Sequence, residues 1–297
     1  RDWHARRGSA RHGGTGVGVA PAMGATSDSG CVEQLEIIEA SPPRGGSGRP
    51  LLFVHGAFAG AWCWSEHFLP YFAKKGFRAC AVSLSGHGGS PGRERLDWLS
   101  IADYVCDLEQ AVGIVGGDPV LIGHSMGGFV VQKYLERASA PGAVLMASVP
   151  PQGLLSASIA LAFSNPGMFA DVNAMMHHGR VSASALQHAL FAGPVAPDKL
   201  KAYYRQMQPE SQRAMWDMTF FNLPQLRRER CPPMLVLGAE RDILVPPSEI
   251  EQAARHYGTE AEIFPGMGHV MMLEADWRKV ADRIIAWTRA LRLEPVR

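Results

Sequence analysis

Three residues far apart in this chain, Ser125, Asp242 and His269, have side chains that together could open an acyl bond. A serine hydroxyl is a weak nucleophile at neutral pH. It becomes reactive when an imidazole takes its proton and a carboxylate orients that imidazole. Ser125 lies in Gly123-His124-Ser125-Met126-Gly127, after the apolar run Pro119-Val120-Leu121-Ile122 and before a helix-like stretch over residues 129–138. A serine forced into a sharp strand-to-helix turn leaves no room for side chains two positions before and after it, which accounts for the two glycines. Such a turn presents the hydroxyl and sets the following N–H groups at a helix N-terminus, where an anion is favoured.

The partners follow the serine in the order acid, then histidine. Asp242 comes after the run Met234-Leu235-Val236-Leu237, in Gly238-Ala239-Glu240-Arg241-Asp242. His269 comes after an expected strand over residues 260–264, in Gly266-Met267-Gly268-His269. Loops at the carboxyl ends of parallel strands are where open α/β sheets hold their sites, so topology can bring the three together. Glu240 is the rival acid; residues 143–170 contain none. An oxyanion in the reaction needs donors. The N–H of Met126 is one. The second comes from His55-Gly56-Ala57-Phe58, with Ala57 preferred, Phe58 the alternative, and Gly56 allowing close approach of the backbone. Phe58, Trp216 and Val270 are the expected substrate contacts.

Strand and helix patterns alternate from residue 32 onward. Strands are expected at 32–40, 50–54, 77–84, 119–122, 143–149, 234–237 and 260–264. Helices are expected at 64–75, from Ser100 with Asp103 in its first turn, at 129–138, at 248–257 and at 277–291. The short continuous apolar runs suit strands buried on both faces, and the alternation predicts an α/β fold with a mostly parallel, doubly wound sheet. Pro150-Pro151 interrupts the rhythm, and residues 150–224 offer helices without a convincing strand. That segment reads as a helical cap inserted into a core made of 31–149 and 225–297. Its Met168, Met175, Met176, Met207, Met215 and Met218, with Phe163, Phe169, Phe191, Trp216, Phe220 and Phe221, read mostly as its own core. Some of them can line an acyl or alcohol pocket, since Met adapts to varied apolar shapes.

The 297 residues, 46% of them hydrophobic and with a net charge of +1, have ordinary globular composition and give no reason to expect nucleic acid or an anionic membrane surface. No apolar run is long enough to span a bilayer. Cys31, Cys63, Cys80, Cys106 and Cys231 are scattered, form no C-x-x-C pair and read as buried free thiols. Residues 1–30, rich in Gly, Ala, Arg and Ser, read as a flexible extension without a secretion signal. The glycine cluster at 14–18 follows no strand and is not a dinucleotide loop. A cytoplasmic location is expected on those grounds. His55 and His124 are expected to bond local backbone. His177-His178 lack metal spacing, no H-E-x-x-H occurs, and neither metal nor other cofactor is expected.

With His55-Gly56, Gly86-His87-Gly88, Gly123-His124-Ser125-Met126-Gly127-Gly128, the Asp242 loop and Gly268-His269, residues 32–291 resemble the α/β-hydrolase superfamily of serine esterases. The resemblance implies a Ser–His–Asp triad, a helical cap and no cofactor. His55-Gly56-Ala57 with Gly60-Ala61-Trp62-Cys63-Trp64 is similar to the plant methylesterase and hydroxynitrile lyase branch. Lyases of that branch carry Thr and Lys where this chain has Gly56 and Val270, and both departures point to ester hydrolysis. The expected function is hydrolysis of small to medium apolar carboxylic esters through an acyl-enzyme. The alternative is another triad hydrolysis, of a C–C bond, thioester or lactone, or perhydrolysis. A non-enzymatic receptor of the same fold is a third possibility. The expected partner is a small-molecule ester.

Overall fold

A computed structural model describes residues 34–43, 48–176 and 182–291. The expected extension at 1–30, its glycine cluster, Cys31 and the His177-His178 pair lie outside the described residues. In chain order the elements are β1 (Ile37–Ala40), β2 (Leu51–Val54), α1 (Trp62–Ser65), α2 (Phe68–Lys74), β3 (Ala79–Val82), α3 (Ile101–Val115), β4 (Val120–His124), α4 (Met126–Tyr134) and β5 (Ala143–Met146). Then follow α5 (Leu155–Ser164), α6 (Pro166–Met176), α7 (Ala183–Leu190), α8 (Pro197–Gln206), α9 (Gln212–Trp216), β6 (Met234–Ala239), α10 (Pro247–Tyr257), β7 (Ala261–Phe264) and α11 (Trp277–Leu291).

The strands form one sheet in the order β1-β3-β2-β4-β5-β6-β7, with β1 antiparallel to β3 and every other pair parallel. Period-two alternation sends Leu52, Val54, Cys80, Val82, Leu121 and Leu145 to one face, against Tyr104, Leu108, Phe129 and Ile250 of α3, α4 and α10. Leu51, Phe53, Ala79, Ala81, Ile122 and Met146 face the other way, onto Trp64, Phe68, Phe72, Val280 and Ile284 of α1, α2 and α11. Burial on both faces is why these strands read as continuous apolar runs. The rings of Trp64, Phe68 and Phe72 pack around Phe53, with centroids 4.9, 6.1 and 5.3 Å from it. Each such ring contributes about 1.5–3 kcal/mol through burial.

The chain steps outward from β2 to β3, then back past β2 to β4, so sheet order reverses between β2 and β4. Val54 and Gly123 are register partners at that point, and the loops leaving β2 and β4 emerge side by side. This reversal is where open α/β sheets form their crevice.

Several local expectations change, among them the strand expected at 77–84, which is only Ala79–Val82. The helix anticipated at 64–75 is two helices, α1 and α2, broken at His67, whose ring stacks on Trp277 of α11 at 4.7 Å. The helix expected from 129 begins at Met126, directly after the serine, and ends at Tyr134. The strand expected to reach Val149 ends at Met146, because Ala147 turns to φ +43° while its N–H still bonds the Leu237 carbonyl. Of the edge strand expected over 32–40, the described residues form strand only at Ile37–Ala40. Of the described cysteines, Cys63 and Cys80 are buried, but Cys106 is exposed on α3 and Cys231 half-buried. The start of α3 forms as expected: Ser100 Oγ accepts from the Asp103 N–H and the Asp103 carboxylate accepts from the Ser100 N–H, a closed capping box.

Between β5 and β6 lie five helices, α5 to α9, and no strand among the described residues. α9 runs straight into one π-helical turn, Asp217–Phe221. No helix of the described residues is long and apolar enough to cross a membrane.

Candidate active site

Ser125 occupies the turn between β4 and α4 with φ +52°, a backbone conformation that only a well-braced side-chain-bearing residue holds. The brace is visible. The Ser125 N–H donates to the Met146 carbonyl at 3.1 Å, and its own carbonyl accepts from Gly128 at 3.0 Å and Val149 at 3.2 Å. The flanking glycines are sterically required. A Cβ on Gly123 would lie 2.5 Å from the Gly127 carbonyl oxygen, and one on Gly127 would lie 2.3 Å from that of Val54.

The loops after β6 and β7 carry the other two residues. Asp242 and His269 are both buried, and Asp242 Oδ2 sits 2.7 Å from His269 Nδ1. The other carboxylate oxygen, Oδ1, accepts from the N–H groups of Leu244 and Val245, each at 2.9 Å. The carboxylate is thereby aimed, and the ring nitrogen facing it carries the proton. Arg241 N–H bonds the Met267 carbonyl at 2.8 Å, tying the two loops together. Glu240, the rival acid, is exposed and instead accepts from the Gly266 N–H at 2.7 Å.

His55 bonds local backbone as expected, but His124 does not: its partner is a backbone carbonyl 145 residues away. His124 Nε2–H donates to the His269 carbonyl at 2.9 Å. Burial, and then the neighbouring His269, holds His124 well below its ordinary pKa, so it stays neutral. A Cβ on Gly56 would lie 2.9 Å from His124 Nδ1, which explains the glycine in the loop after β2. His55 Nδ1–H donates to the Gly56 carbonyl at 2.8 Å and Nε2 accepts from the Leu84 N–H at 3.0 Å. Burial, with the nearby His87 charge, lowers the His55 pKa to about 3.

One cavity of about 180 Å³ opens at the end of the sheet. Ser125, His124 and His269 line its floor together with Ala57, Phe58 and Met126, so the expected serine, histidine and oxyanion loop share one space. The Met126 N–H, at the first position of α4, has no acceptor within the helix. The Phe58 N–H is already taken by the Glu210 carboxylate at 3.3 Å. Val270, Met207, Met215, Met218 and Phe191 also line the cavity, and among the described residues no Asp, Glu, Lys or Arg does. Trp216 does not: it is 53% exposed and stacks on Phe220 outside. Met215, Met218 and Thr219, at i, i+3 and i+4, face the cavity, whereas Trp216 and Phe220 share another face of the same helical stretch.

Sequence reasoning missed Glu210. Its side chain is fully inside the protein, where Oε2 receives His87 Nε2 at 3.0 Å and Oε1 receives the Tyr104 hydroxyl at 2.7 Å and the Ser211 N–H at 2.8 Å. The partners lie 106 and 123 residues away along the chain, beyond any local pattern. The single hint was His87 in Gly86-His87-Gly88, a buried histidine that requires a partner.

A sequence model of the alpha/beta hydrolase family matches residues 51–283. The chain belongs to this family. Its alpha/beta hydrolase fold is shared with an esterase from Exiguobacterium antarcticum, at TM-score 0.67 and 16% identity over 86% of this chain and 95% of that one. Among curated hydrolase relatives, a monoacylglycerol lipase from Mycolicibacterium smegmatis is 23% identical over 75% of this chain and 81% of its own. Methyl jasmonate esterase 1 from Vitis vinifera is 37% identical over 30% of this chain and 34% of its own, in keeping with the resemblance to the plant methylesterase branch. Several other relatives are matched over only 39–40% of their length.

Proposed function

We infer that this family member is a serine carboxylic ester hydrolase acting on small to medium uncharged esters. The observation that carries the reading is the 2.7 Å Asp242–His269 contact at the wall of the cavity that Ser125 also lines. His269 takes the Ser125 hydroxyl proton as the oxygen attacks the ester carbonyl. Asp242 keeps the imidazole in the required tautomer and stabilises the imidazolium. The Met126 and Ala57 N–H groups receive the developing oxyanion; Phe58 N–H is unsuited, being already engaged by Glu210. The imidazolium returns its proton to the leaving alkoxide oxygen, releasing the alcohol and leaving Ser125 acylated. Water then attacks the acyl group, giving its proton to His269, and the acid departs with Ser125 restored.

The substrate class follows from the lining. A wall of Met207, Met215, Met218, Phe191 and Val270 gives apolar acyl or alcohol groups a place to bury. A carboxylate-bearing ester would be desolvated there and would meet no counter-charge among the described lining residues, which disfavours it. The helical segment between β5 and β6 supplies Leu154, Ala157, Leu161 and Met215 to that lining, the role of a cap. Turnover of p-nitrophenyl butyrate by the wild-type chain and by Ser125→Ala tests the reading. Loss of turnover in a folded variant supports it, and undiminished turnover defeats it.

A further inference from the structure

Phe58 has φ +64°, which a bulky residue rarely adopts and which the surroundings must impose. The imposing segment is a short stretch of the helical insert. The Gln208 N–H donates to the Phe58 carbonyl at 3.1 Å, and the Phe58 N–H donates to Glu210 Oε2 at 3.3 Å. The peptide groups on both sides of Phe58 Cα are thus gripped from residues 208–210. The preceding residue is Ala57, whose N–H is the remaining donor of the loop.

Glu210 is a costly side chain to bury, and four donors converge on it: Phe58 N–H, His87 Nε2–H, Tyr104 O–H and Ser211 N–H. His87 Nδ1 also lies 3.0 Å from the Ser85 carbonyl, an acceptor only, so both ring nitrogens carry protons and the pair is ionic. Burial opposes charge on both groups, but their mutual attraction and hydrogen bonds outweigh it, raising the His87 pKa and lowering that of Glu210. Holding the insert on the core does not need this pair. Ser211 Oγ on the Leu99 carbonyl, the Gln208 side chain on Gly86 and Gly88, and Asp217 on the Ile101 N–H already do so. What Glu210 adds is a charged acceptor on the oxyanion loop.

We propose that Glu210 is a positioning residue for the esterase reaction: its carboxylate clamps the Phe58 peptide and thereby aims the Ala57 N–H at the oxyanion. The clamp rests on the ester-hydrolase reading above. It also makes the insert part of the catalytic geometry, because displacement of residues 208–210 releases the loop.

Glu210→Gln is the test. The amide offers one acceptor oxygen to donors that now share two, and the neutral group no longer attracts the loop N–H. The expected result is a kcat for p-nitrophenyl butyrate lower by about 10- to 100-fold with KM within about threefold, as for a displaced oxyanion donor. Affinity for a phenylboronic acid, which becomes a tetrahedral anion on the serine, falls in parallel, whereas affinity for the uncleaved neutral amide analogue of the substrate holds. A residue that only stabilised the fold would lower the melting temperature and leave kcat and boronate affinity of the folded protein alone. If Glu210→Gln does not fold, Tyr104→Phe removes one bond to the same carboxylate and should shift kcat and boronate affinity the same way by about two- to fivefold. Unchanged kcat and boronate affinity in a folded variant overturns the clamp. A wild-type chain that turns over no ester overturns the underlying reading instead.

Discussion

Asp242 grips His269 with one carboxylate oxygen and its own loop with the other: Oδ2 is 2.7 Å from the imidazole Nδ1, and Oδ1 is 2.9 Å from both the Leu244 and Val245 N–H groups. The two functions separate by substitution. Asp242→Asn keeps the shape but places an amide where the ring needs a carboxylate, so kcat should fall about 10³- to 10⁴-fold. Asp242→Ala also orphans two backbone donors and should cost about 1–3 kcal/mol more in urea unfolding. Glu240→Gln, bonded away from the ring, should leave kcat within about twofold on the same scale. A comparable kcat loss in Glu240→Gln would reassign the acid.

The glycines make a sharper contrast. Gly127→Ala drives a methyl to 2.3 Å from the Val54 carbonyl oxygen and should destabilise by about 3 kcal/mol or more. Gly113 is exposed in the last turns of α3, and a methyl there would meet nothing within 4 Å. Gly113→Ala should therefore raise stability by up to about 1 kcal/mol through helix propensity and the unfolded chain. Chemical denaturation of both variants checks the pair. Equal effects would mean that the elbow is not tightly packed.

Much of this was legible in the sequence, for a local reason. Gly123, Ser125 and Gly127 are covalent near-neighbours, so the steric demand of the turn is written within five positions. Asp242 and His269 could be placed because each follows a recognisable strand. Trp216 could not, because which face of its helix meets the core is decided by how the insert packs, and the apolar residues Met215, Trp216, Met218, Phe220 and Phe221 leave no single polar face to mark it. Glu210 was hidden because its partners come from the loops after β2 and β3 and from α3. The break at His67 was hidden for the same reason: the ring it stacks on, Trp277, belongs to the last helix.

The buried histidines set the acid limit of the fold. His55 and His124 are neutral when folded, with His55 at a pKa of about 3. In the unfolded chain both take protons near pH 6.5. Each therefore costs about 1.4 kcal/mol per pH unit as the pH falls below 6.5, down to its folded pKa. His87 has the opposite sign: its raised pKa gives a contribution that is complete below pH 6.5 and is lost as pH rises through the folded value. The lowered pKa of Glu210 gives a contribution present above the ordinary carboxylate range and lost on further acidification. Between about pH 5 and 6.5 the two neutral histidines dominate, and stability should fall on acidification by about 2–3 kcal/mol per unit. Urea unfolding across that range measures the slope. A flat profile would contradict neutral, buried His55 and His124.

Chain-length preference should respond to the cavity wall and not to the outer face of the insert. Leu161 lines the cavity from α5, so Leu161→Trp should lower kcat/KM for octanoate relative to acetate esters by about tenfold or more. Trp216→Ser, on the exposed side, should leave that ratio within about twofold. A p-nitrophenyl ester series on both variants decides it, and a large shift in Trp216→Ser would move that ring back to the pocket.

The central claim is that the Ser125 oxygen is the activated nucleophile. Intact-protein mass measurement after treatment with a fluorophosphonate tests it most directly. The account predicts one phosphonyl adduct on the wild-type chain, mapped to Ser125 by peptide fragmentation, and none on Ser125→Ala or on unfolded protein. An unmodified wild-type chain, or an adduct that persists in Ser125→Ala, would contradict it.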